Sequence, residues 1–152
     1  MHVSDSLVII PTYNEKENVE KMIRFVMGLA KPFDLLIIDD GSPDGTAKIV
    51  KSLMSEFEGR LFLEERSGKL GLGTAYIHGF KWALAREYGF VFEMDCDFSH
   101  NPEDLIKLYN AAVEGPADLV IGSRYIKGVN VVNWPMGRVL MSYYASAHVR
   151  MI

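Results

Sequence analysis

The fold is decided by the stretch Leu35-Leu36-Ile37-Ile38-Asp39-Asp40-Gly41-Ser42-Pro43-Asp44-Gly45-Thr46. Its apolar residues form a run of strand length that ends abruptly in two acids, and Pro43-Asp44-Gly45 is typical of a turn. Apolar residues at helical spacing begin after Thr46. A short apolar strand followed by a helix is typical of a βα unit in a parallel sheet that is covered on both faces.

The same alternation recurs along the rest of the chain. Strands are predicted at Leu7–Pro11, Leu35–Asp39, Leu61–Glu64, Phe90–Met94 and Leu119–Gly122. Helices are predicted at Glu15–Leu29, Thr46–Phe57, Thr74–Tyr88, Pro102–Val113 and from Arg138 onward, the first of them capped by Asn14 with Glu17 three residues on. We therefore expect residues 1–152 to form a single α/β domain with a mostly parallel central sheet flanked by helices.

Composition narrows the class of protein. The 152 residues are 49% apolar and 24% charged, which is typical of a soluble globular domain, and the formal charge of −4 offers no basic excess for a nucleic-acid partner. The single cysteine, Cys96, excludes an internal disulfide and is compatible with a reducing compartment. Leu7–Ile10 is too short for the core of an export signal, and no apolar run reaches the length of a transmembrane helix. We expect a cytoplasmic protein.

Two acids follow the fourth predicted strand, in Met94-Asp95-Cys96-Asp97-Phe98-Ser99-His100. Alternate side chains of an extended segment share a face, so Asp95 and Asp97 can converge while Cys96 faces the other way. Hard divalent ions such as Mg²⁺ or Mn²⁺ prefer carboxylate oxygens together with substrate phosphates. The alternative is that Asp97 caps a helix and Asp95 is solvated. The end of a parallel strand is where ligands bind in such sheets, which favours a metal and diphosphate site.

Polar residues also follow the first and second predicted strands. Asp39 and Asp40 are adjacent acids at the end of an apolar strand, so they need hydrogen-bond donors. The N–H groups of a nucleobase would supply such donors to Asp40. The turn residues that come next can simply cap the following helix. In Pro11-Thr12-Tyr13-Asn14-Glu15, the ring of Tyr13 can stack on a base or can pack at the rim. We predict that a nucleobase binds at these two strand ends.

Cationic residues follow the third and fifth predicted strands. The glycine-rich segment Arg66–Thr74 opens a helix, so its N–H groups and Lys69 can approach an anion, although its spacing is not that of a phosphate-binding loop or a dinucleotide fingerprint. In Ser123-Arg124-Tyr125, the guanidinium of Arg124 suits a phosphate or a carboxylate such as Asp97, unless it is simply solvated. Lys69 and Arg124 are therefore candidate contacts of an anionic group such as a phosphate.

Five blocks of sequence together resemble the family 2 glycosyltransferases, and within them the dolichol-phosphate mannosyltransferases. The blocks are residues 11–15, 39–46, 68–76, 95–100 and 122–125, in this order along essentially the whole chain. The resemblance implies the GT-A fold of nucleotide-diphospho-sugar transferases. It also implies transfer of mannose from GDP-mannose to a polyprenyl (dolichyl) phosphate with inversion at the anomeric carbon, and a Mg²⁺ or Mn²⁺ cofactor.

The resemblance also implies roles for single residues. Base and ribose would be surrounded by Pro11, Tyr13, Glu15, Ile38 and Asp40. The diphosphate side would be formed by Asp95 and the Cys96 backbone at the nucleotide, Asp97 as principal metal ligand, and Arg124 at the diphosphate or beside Asp97. Ser99 stands where some relatives place a Gln that also reaches the metal. We thus assign Asp97, Asp95 and Arg124 as the catalytic set, and Asp97 and Ser99 as candidate metal ligands.

The end of the chain departs from the family pattern. Members of the family continue well beyond residue 152, so we expect the acceptor-side part of the domain to be absent here. Val139–Ile152 carries apolar residues at helical spacing, which predicts a membrane-facing helix or, alternatively, core or dimer packing. We expect a peripheral protein at the cytoplasmic face of a membrane.

Two other functions remain open. A related transferase could use a UDP-sugar such as UDP-glucose, because one Asp and one Tyr do not distinguish guanine from uracil in a sequence. The chain could also be a non-catalytic fragment that binds sugar nucleotides. A dehydrogenase is disfavoured because the glycine fingerprint is missing where the first helix begins.

Overall fold

The computed structural model describes residues 4–123 and 135–149. The chain divides into two compact units, Met1–Pro116 and Ala117–Ile152. In the first, strands and helices alternate: β1 (Ser6–Thr12), α1 (Val19–Met27), β2 (Asp34–Asp39), α2 (Thr46–Met54), β3 (Leu61–Glu65), α3 (Leu72–Leu84), β4 (Phe90–Glu93) and α4 (Asp104–Glu114). The second contains α5 (Met136–Val149), close to the predicted helix from Arg138 onward.

The four strands form one sheet in the order β3-β2-β1-β4, and every pairing in it is parallel. Ile9 at the centre of β1 lies opposite Leu36 of β2 on one side and Glu93 of β4 on the other. The predicted parallel sheet and the first four predicted strands are therefore confirmed, with bounds that differ by at most one residue.

Strand residues point alternately into two apolar layers, which is why the strands read as continuous apolar runs. Val8 and Ile10 belong to the layer that α1, α2 and α4 cover, whereas Leu7 and Ile9 belong to the layer that α3 covers. All four side chains are completely buried. Because helices cover both faces of the sheet, the ends of the strands are the part that stays uncovered.

Helix α3 packs unusually close to the sheet at Gly79. A Cβ atom at this position would lie 2.7 Å from Ile9 Cδ1 and 2.8 Å from Ile9 Cγ2, and 3.1 Å from Ile38 Cδ1. No larger residue fits without movement of the helix or of the strand side chains. Gly79 thus sets the height of α3 above β1 and β2.

Two predictions about local structure are wrong. Residues 119–122 form no strand, and the side chains of Leu119 and Ile121 are each 76% exposed, so this apolar run lacks the burial that would hold it in a sheet. Asn14 does not cap the first helix. It adopts a left-handed conformation with φ 61° inside the preceding loop, and α1 begins five residues later at Val19.

Among the helices of residues 4–123 and 135–149, none is long and apolar enough to cross a membrane.

Candidate functional site

The polar residues singled out in the sequence lie at the carboxyl edge of the sheet. Parallel strands end at the same edge, and β2, β1 and β4 are neighbours in it. The loop after β1 therefore lies between the acids that follow β2 and those that follow β4. The fold brings three of the predicted segments, 11–15, 39–46 and 94–100, to one edge, as predicted.

Asp39, the last residue of β2, is buried and fully engaged with protein donors. Its Oδ1 accepts hydrogen bonds from Thr12 Oγ1 at 2.9 Å and from Ser42 Oγ at 2.6 Å. Its Oδ2 accepts one from the Ser42 N–H at 2.9 Å. Asp39 therefore joins the end of β1 to the turn that follows β2.

Asp40 forms a buried bidentate ion pair with Arg66, the first residue after β3. Arg66 Nε donates to Asp40 Oδ1 at 2.6 Å and Arg66 Nη2 donates to Oδ2 at 2.7 Å, and the two side chains are only 9% and 8% exposed. Both adjacent acids thus obtain hydrogen-bond donors from the protein, whereas the sequence suggested a nucleobase as the donor to Asp40. Base recognition by Asp40 stays a prediction, and it now involves a carboxylate that a guanidinium already orients.

Arg66 also contacts the glycine-rich start of α3. Its Nη1 donates to Thr74 Oγ1 at 2.8 Å and its Nη2 donates to the Gly71 carbonyl at 3.2 Å. Sequence reasoning assigned Arg66 no role. The signal that could have revealed it is a basic residue immediately after a strand whose neighbour in a parallel sheet ends in acids.

A close approach of two loops accompanies this ion pair. Gly41 has φ +69°, and a Cβ there would lie 3.3 Å from both the Arg66 carbonyl oxygen and Gly68 Cα. Glycine meets both requirements, the left-handed backbone and the lack of space. The turn after β2 and the loop after β3 are thus in direct contact.

Tyr13 and Lys69, from loops far apart in the sequence, meet at this edge. Lys69 Nζ lies 4.7 Å from the centroid of the Tyr13 ring, within the range of a cation–π contact. The ring is 39% exposed. The structure therefore leaves Tyr13 accessible for stacking, with a cation on the ring.

The segment after β4 alternates as predicted. Cys96 is 3% exposed and packs in the layer beneath α1 and α4, whereas Asp95 is half-buried and Asp97 is exposed. The Tyr76 hydroxyl of α3 donates to Asp95 Oδ1 at 3.4 Å. The Asp95 N–H donates to His100 Nδ1 at 3.5 Å, which closes the loop back on itself.

Charge is concentrated around this segment. Burial raises the pKa of the Cys96 thiol to about 12, and the charges of Glu15, Asp97 and Asp95 add to that effect. Burial, followed by the charge of Asp95, also raises the pKa of Glu93. The loop after β1 and the segment after β4 thus share one negative field, which favours a bound cation.

Asp97 keeps its charge within that field. Burial alone would raise the pKa of this carboxyl, but hydrogen bonds from Ser99, including its N–H at 2.9 Å from Asp97 Oδ1, lower it below the usual value. Ser99 contacts Asp97 here, and its role as a metal ligand stays a prediction. Arg124 lies outside the described residues, so its predicted contacts remain untested.

Within the described parts of the chain, no cluster of three or more His, Cys, Asp or Glu side chains is arranged to hold a metal ion. Metal binding by Asp97 stays a prediction, and it requires that the ion take its remaining ligands from a substrate.

Comparison with known proteins shows the family of this chain. Residues 7–150 match the family described as Glycosyl transferase family 2. The chain belongs to glycosyltransferase family 2. The resemblance inferred from the five sequence blocks is confirmed.

Curated relatives include a polyprenol monophosphomannose synthase and a dolichol-phosphate mannosyltransferase. The chain is 44% identical over 147 residues to the polyprenol monophosphomannose synthase of Mycolicibacterium smegmatis, covering 97% of this chain and 55% of the relative. It is 41% identical over 138 residues to the dolichol-phosphate mannosyltransferase of Pyrococcus furiosus, covering 89% of this chain and 37% of the relative. The chain thus spans about half of the first of these relatives and less of the second.

A solved structure supports the predicted fold. The crystal structure of residues 1–349 of TarS from S. aureus, in complex with UDP, matches with a TM-score of 0.65 at 27% identity, covering 90% of this chain and 38% of that chain. The fold of this family 2 glycosyltransferase is the GT-A type, as predicted.

Proposed function

We propose that this chain is the donor-binding part of an inverting glycosyltransferase that moves mannose from GDP-mannose to a polyprenyl (dolichyl) phosphate. One observation carries the proposal: the carboxyl ends of three adjacent parallel strands bring Tyr13-Asn14-Glu15, Asp39-Asp40 and Asp95-Cys96-Asp97 to a single edge of the sheet. Kinship with lipid-phosphate mannosyltransferases supports the choice of sugar and of acceptor.

The nucleotide is proposed to lie across the ends of β2 and β1. Tyr13 offers an accessible ring for stacking, and Pro11, Ile38 and Asp40 lie at the strand ends beneath the base. Glu15 faces the ribose, and Lys69 beside the Tyr13 ring faces an anion of the donor. Asp95 and the Cys96 backbone meet the nucleotide, and Arg124 meets the diphosphate.

A divalent ion, Mg²⁺ or Mn²⁺, is proposed to be held by Asp97, with Ser99 beside it. When bound, the ion supplies positive charge that neutralises the diphosphate as GDP departs. The lowered pKa of Asp97 supports this role, because the carboxylate is ionised throughout the neutral range. Tyr76 and His100 hold the neighbouring Asp95 in place.

The acceptor requires no general base from the chain. A phosphate monoester has a second pKa of about 6, so its oxygen is already largely anionic at neutral pH. That oxygen forms a bond to the anomeric carbon while the bond from this carbon to the GDP oxygen breaks, with inversion. The remaining task of the protein is alignment and charge neutralisation.

A lipid acceptor places the reaction at a membrane surface, and we propose the cytoplasmic face. Helix α5 supports contact with lipid through its exposed apolar side chains Met136, Leu140, Met141, Tyr143 and Tyr144. Vesicles that contain polyprenyl phosphate should retain the chain in flotation, whereas replacement of Leu140 and Met141 by Ser should release it.

Donor identity is tested by calorimetric titration of the chain with GDP-mannose and UDP-glucose, with and without Mn²⁺. We expect metal-dependent binding of GDP-mannose. Metal-dependent selectivity for UDP-glucose would instead identify a UDP-sugar transferase. The solved structure of TarS in complex with UDP is the reason to test this alternative. If neither nucleotide sugar binds, the proposed function is wrong.

Catalysis is tested by transfer of labelled mannose to polyprenyl phosphate in a protein that extends this chain to the length of its relatives. Asp97→Ala should lower the turnover at least a hundredfold, because one ionised metal ligand is lost. Glu58→Ala is the matched control, since it removes an exposed acid from the turn before β3, at the opposite edge of the sheet. Near-normal metal-dependent turnover of Asp97→Ala would refute the metal role. Donor binding without any transfer by the parent protein would identify a non-catalytic sugar-nucleotide-binding protein.

A further inference from the structure

We propose that Ser42, Asp44 and Thr46 are positioning residues for the nucleotide sugar, acting through the backbone of residues 14–16. They lie in the turn after β2 and at the start of α2, where each would otherwise be taken for an ordinary turn or helix-capping residue. The inference rests on the proposed donor site, because its functional consequence is the placement of Tyr13 and Glu15.

Three consecutive backbone N–H groups of the loop after β1 donate to three side chains of the other loop. The Asn14 N–H donates to Ser42 Oγ at 2.9 Å, and the Glu15 N–H donates to Thr46 Oγ1 at 3.1 Å. The Lys16 N–H donates to Asp44 Oδ2 at 3.1 Å. Helix capping within α2 explains none of these bonds, because each joins segments 28 or 31 residues apart.

Each hydroxyl is oriented to accept. A hydroxyl has one proton to donate, and Ser42 Oγ donates it to Asp39 Oδ1 at 2.6 Å, while Thr46 Oγ1 donates to Asp44 Oδ1 at 2.6 Å. The lone pairs of both hydroxyls are thereby directed at the incoming N–H groups. Asp44 accepts hydrogen bonds from both loops: its Oδ2 accepts from the Lys16 N–H, and its Oδ1 also accepts from the Thr46 N–H at 3.0 Å.

The segment that these bonds hold is not stabilised by regular structure. Asn14 has a left-handed backbone with φ 61°, and β1 ends at Thr12 while α1 begins at Val19. The Glu15 carbonyl accepts from the Asn18 and Val19 N–H groups, and the Glu15 carboxylate accepts from Asn18 Nδ2. The backbone N–H groups of residues 14–16, however, depend on the turn after β2 for their acceptors. Loss of these bonds frees the Tyr13 ring and the Glu15 carboxylate from the positions in which the donor would meet them.

The test is donor affinity in matched hydroxyl variants. Thr46→Val removes the acceptor with little change of shape, and Thr46→Ser retains it. Ser42→Ala removes the second acceptor, and Ser52→Ala is the control, because the Ser52 hydroxyl donates within its own helix, to the Ile49 carbonyl. The dissociation constant of GDP-mannose with Mn²⁺ should rise about fivefold to tenfold for Thr46→Val and Ser42→Ala, and should stay within twofold for Thr46→Ser and Ser52→Ala.

Two further measurements separate positioning from general destabilisation. Thr46→Val should accelerate amide exchange at residues 14–16 at least tenfold in the free protein, without equal acceleration in β1 and β2. In a background that carries both Tyr13→Ala and Glu15→Ala, Thr46→Val should weaken donor binding less than twofold, since both side chains that it positions are gone.

Each outcome decides the inference. Equal affinity of the parent chain, Thr46→Val and Ser42→Ala would overturn the positioning role and leave the donor site intact. Uniform acceleration of exchange throughout the sheet would show a structural role only. Failure of the parent chain to bind any nucleotide sugar would overturn the proposed function together with the positioning role.

Discussion

At the scale of single residues, the dominant feature of the candidate site is the buried pair Asp40–Arg66. Its two charges lie almost out of solvent at the end of a sheet that is otherwise apolar. The bidentate geometry and the additional bonds from Arg66 to Thr74 and Gly71 satisfy most of the donors of the guanidinium. Removal of either partner would leave an uncompensated charge in a region of low polarity.

We predict that Arg66→Gln lowers the free energy of unfolding by about 3 kcal/mol, measured by urea denaturation. Asp40→Asn should cost a similar amount, and the double variant should cost much less than the sum because neither charge is then left alone. Arg24→Gln is the control: its partners Glu20 and Glu56 are about half exposed, so the loss should stay below about 1 kcal/mol. Strictly additive costs of the two variants would contradict the pairing.

The reactivity of Cys96 tests how the segment with Asp95 and Asp97 is oriented. Burial raises the pKa of its thiol to about 12, so both the thiolate fraction and the access of reagents are low in the folded chain. We predict that alkylation by iodoacetamide at pH 8 is at least a hundredfold slower in the native protein than in urea. Comparable rates would show that Cys96 faces solvent and that the alternation of residues 95–97 is wrong.

At the scale of elements, the distance between α3 and the sheet is set by one residue. Gly79 lies directly above Ile9 and Ile38, and the latter is a proposed neighbour of the nucleotide. Movement of α3 would also displace Thr74, which Arg66 contacts. The glycine therefore links helix packing to the candidate site.

We predict that Gly79→Ala lowers the free energy of unfolding by about 1–2 kcal/mol, because overpacking of a rigid core exceeds the gain in helix propensity. Gly73→Ala, in the first turn of the same helix, is the matched control, since a Cβ there meets nothing within 4 Å. It should be neutral or should stabilise the protein by up to about 1 kcal/mol. Equal effects of the two substitutions in urea denaturation would refute the close contact.

At the scale of the whole molecule, the pH dependence of stability follows from a few carboxyl groups. Burial alone would raise the pKa values of Asp5, Asp44 and Asp97, but hydrogen bonds lower all three below the usual value. Their ionised forms therefore stabilise the folded state above the unfolded pKa of about 3.9, and this stabilisation is lost as the pH falls through the folded values. Glu93, whose pKa is raised by burial and by Asp95, acts with the opposite sign.

We predict that the free energy of unfolding falls between pH 4 and pH 2, as measured by urea denaturation at fixed ionic strength. Asp44→Asn should flatten this dependence, because it removes a carboxyl that is ionised more readily in the folded state than in the unfolded state. Identical pH profiles of the variant and the parent would show that Asp44 does not carry the effect.

The sequence by itself determined the order of the elements, the parallel sheet and the edge at which the polar residues gather. These follow from local patterns: apolar runs of strand length, helical periodicity, and acids where a strand ends. The period of two residues along an extended chain likewise placed Cys96 opposite to Asp95 and Asp97. Each signal lies within a few residues, so no knowledge of distant contacts was needed.

Only the tertiary structure decided where the hydrogen bonds go. Arg66 reaches Asp40, and Thr46 reaches the Glu15 N–H, because β3, β2 and β1 are neighbours in the sheet and their loops meet at one edge. The same applies to the residues from Leu119 to Gly122, which read as a strand but remain exposed. An apolar run becomes a strand only when a partner strand and a covering helix bury it, and pairing between distant segments is not encoded in local periodicity.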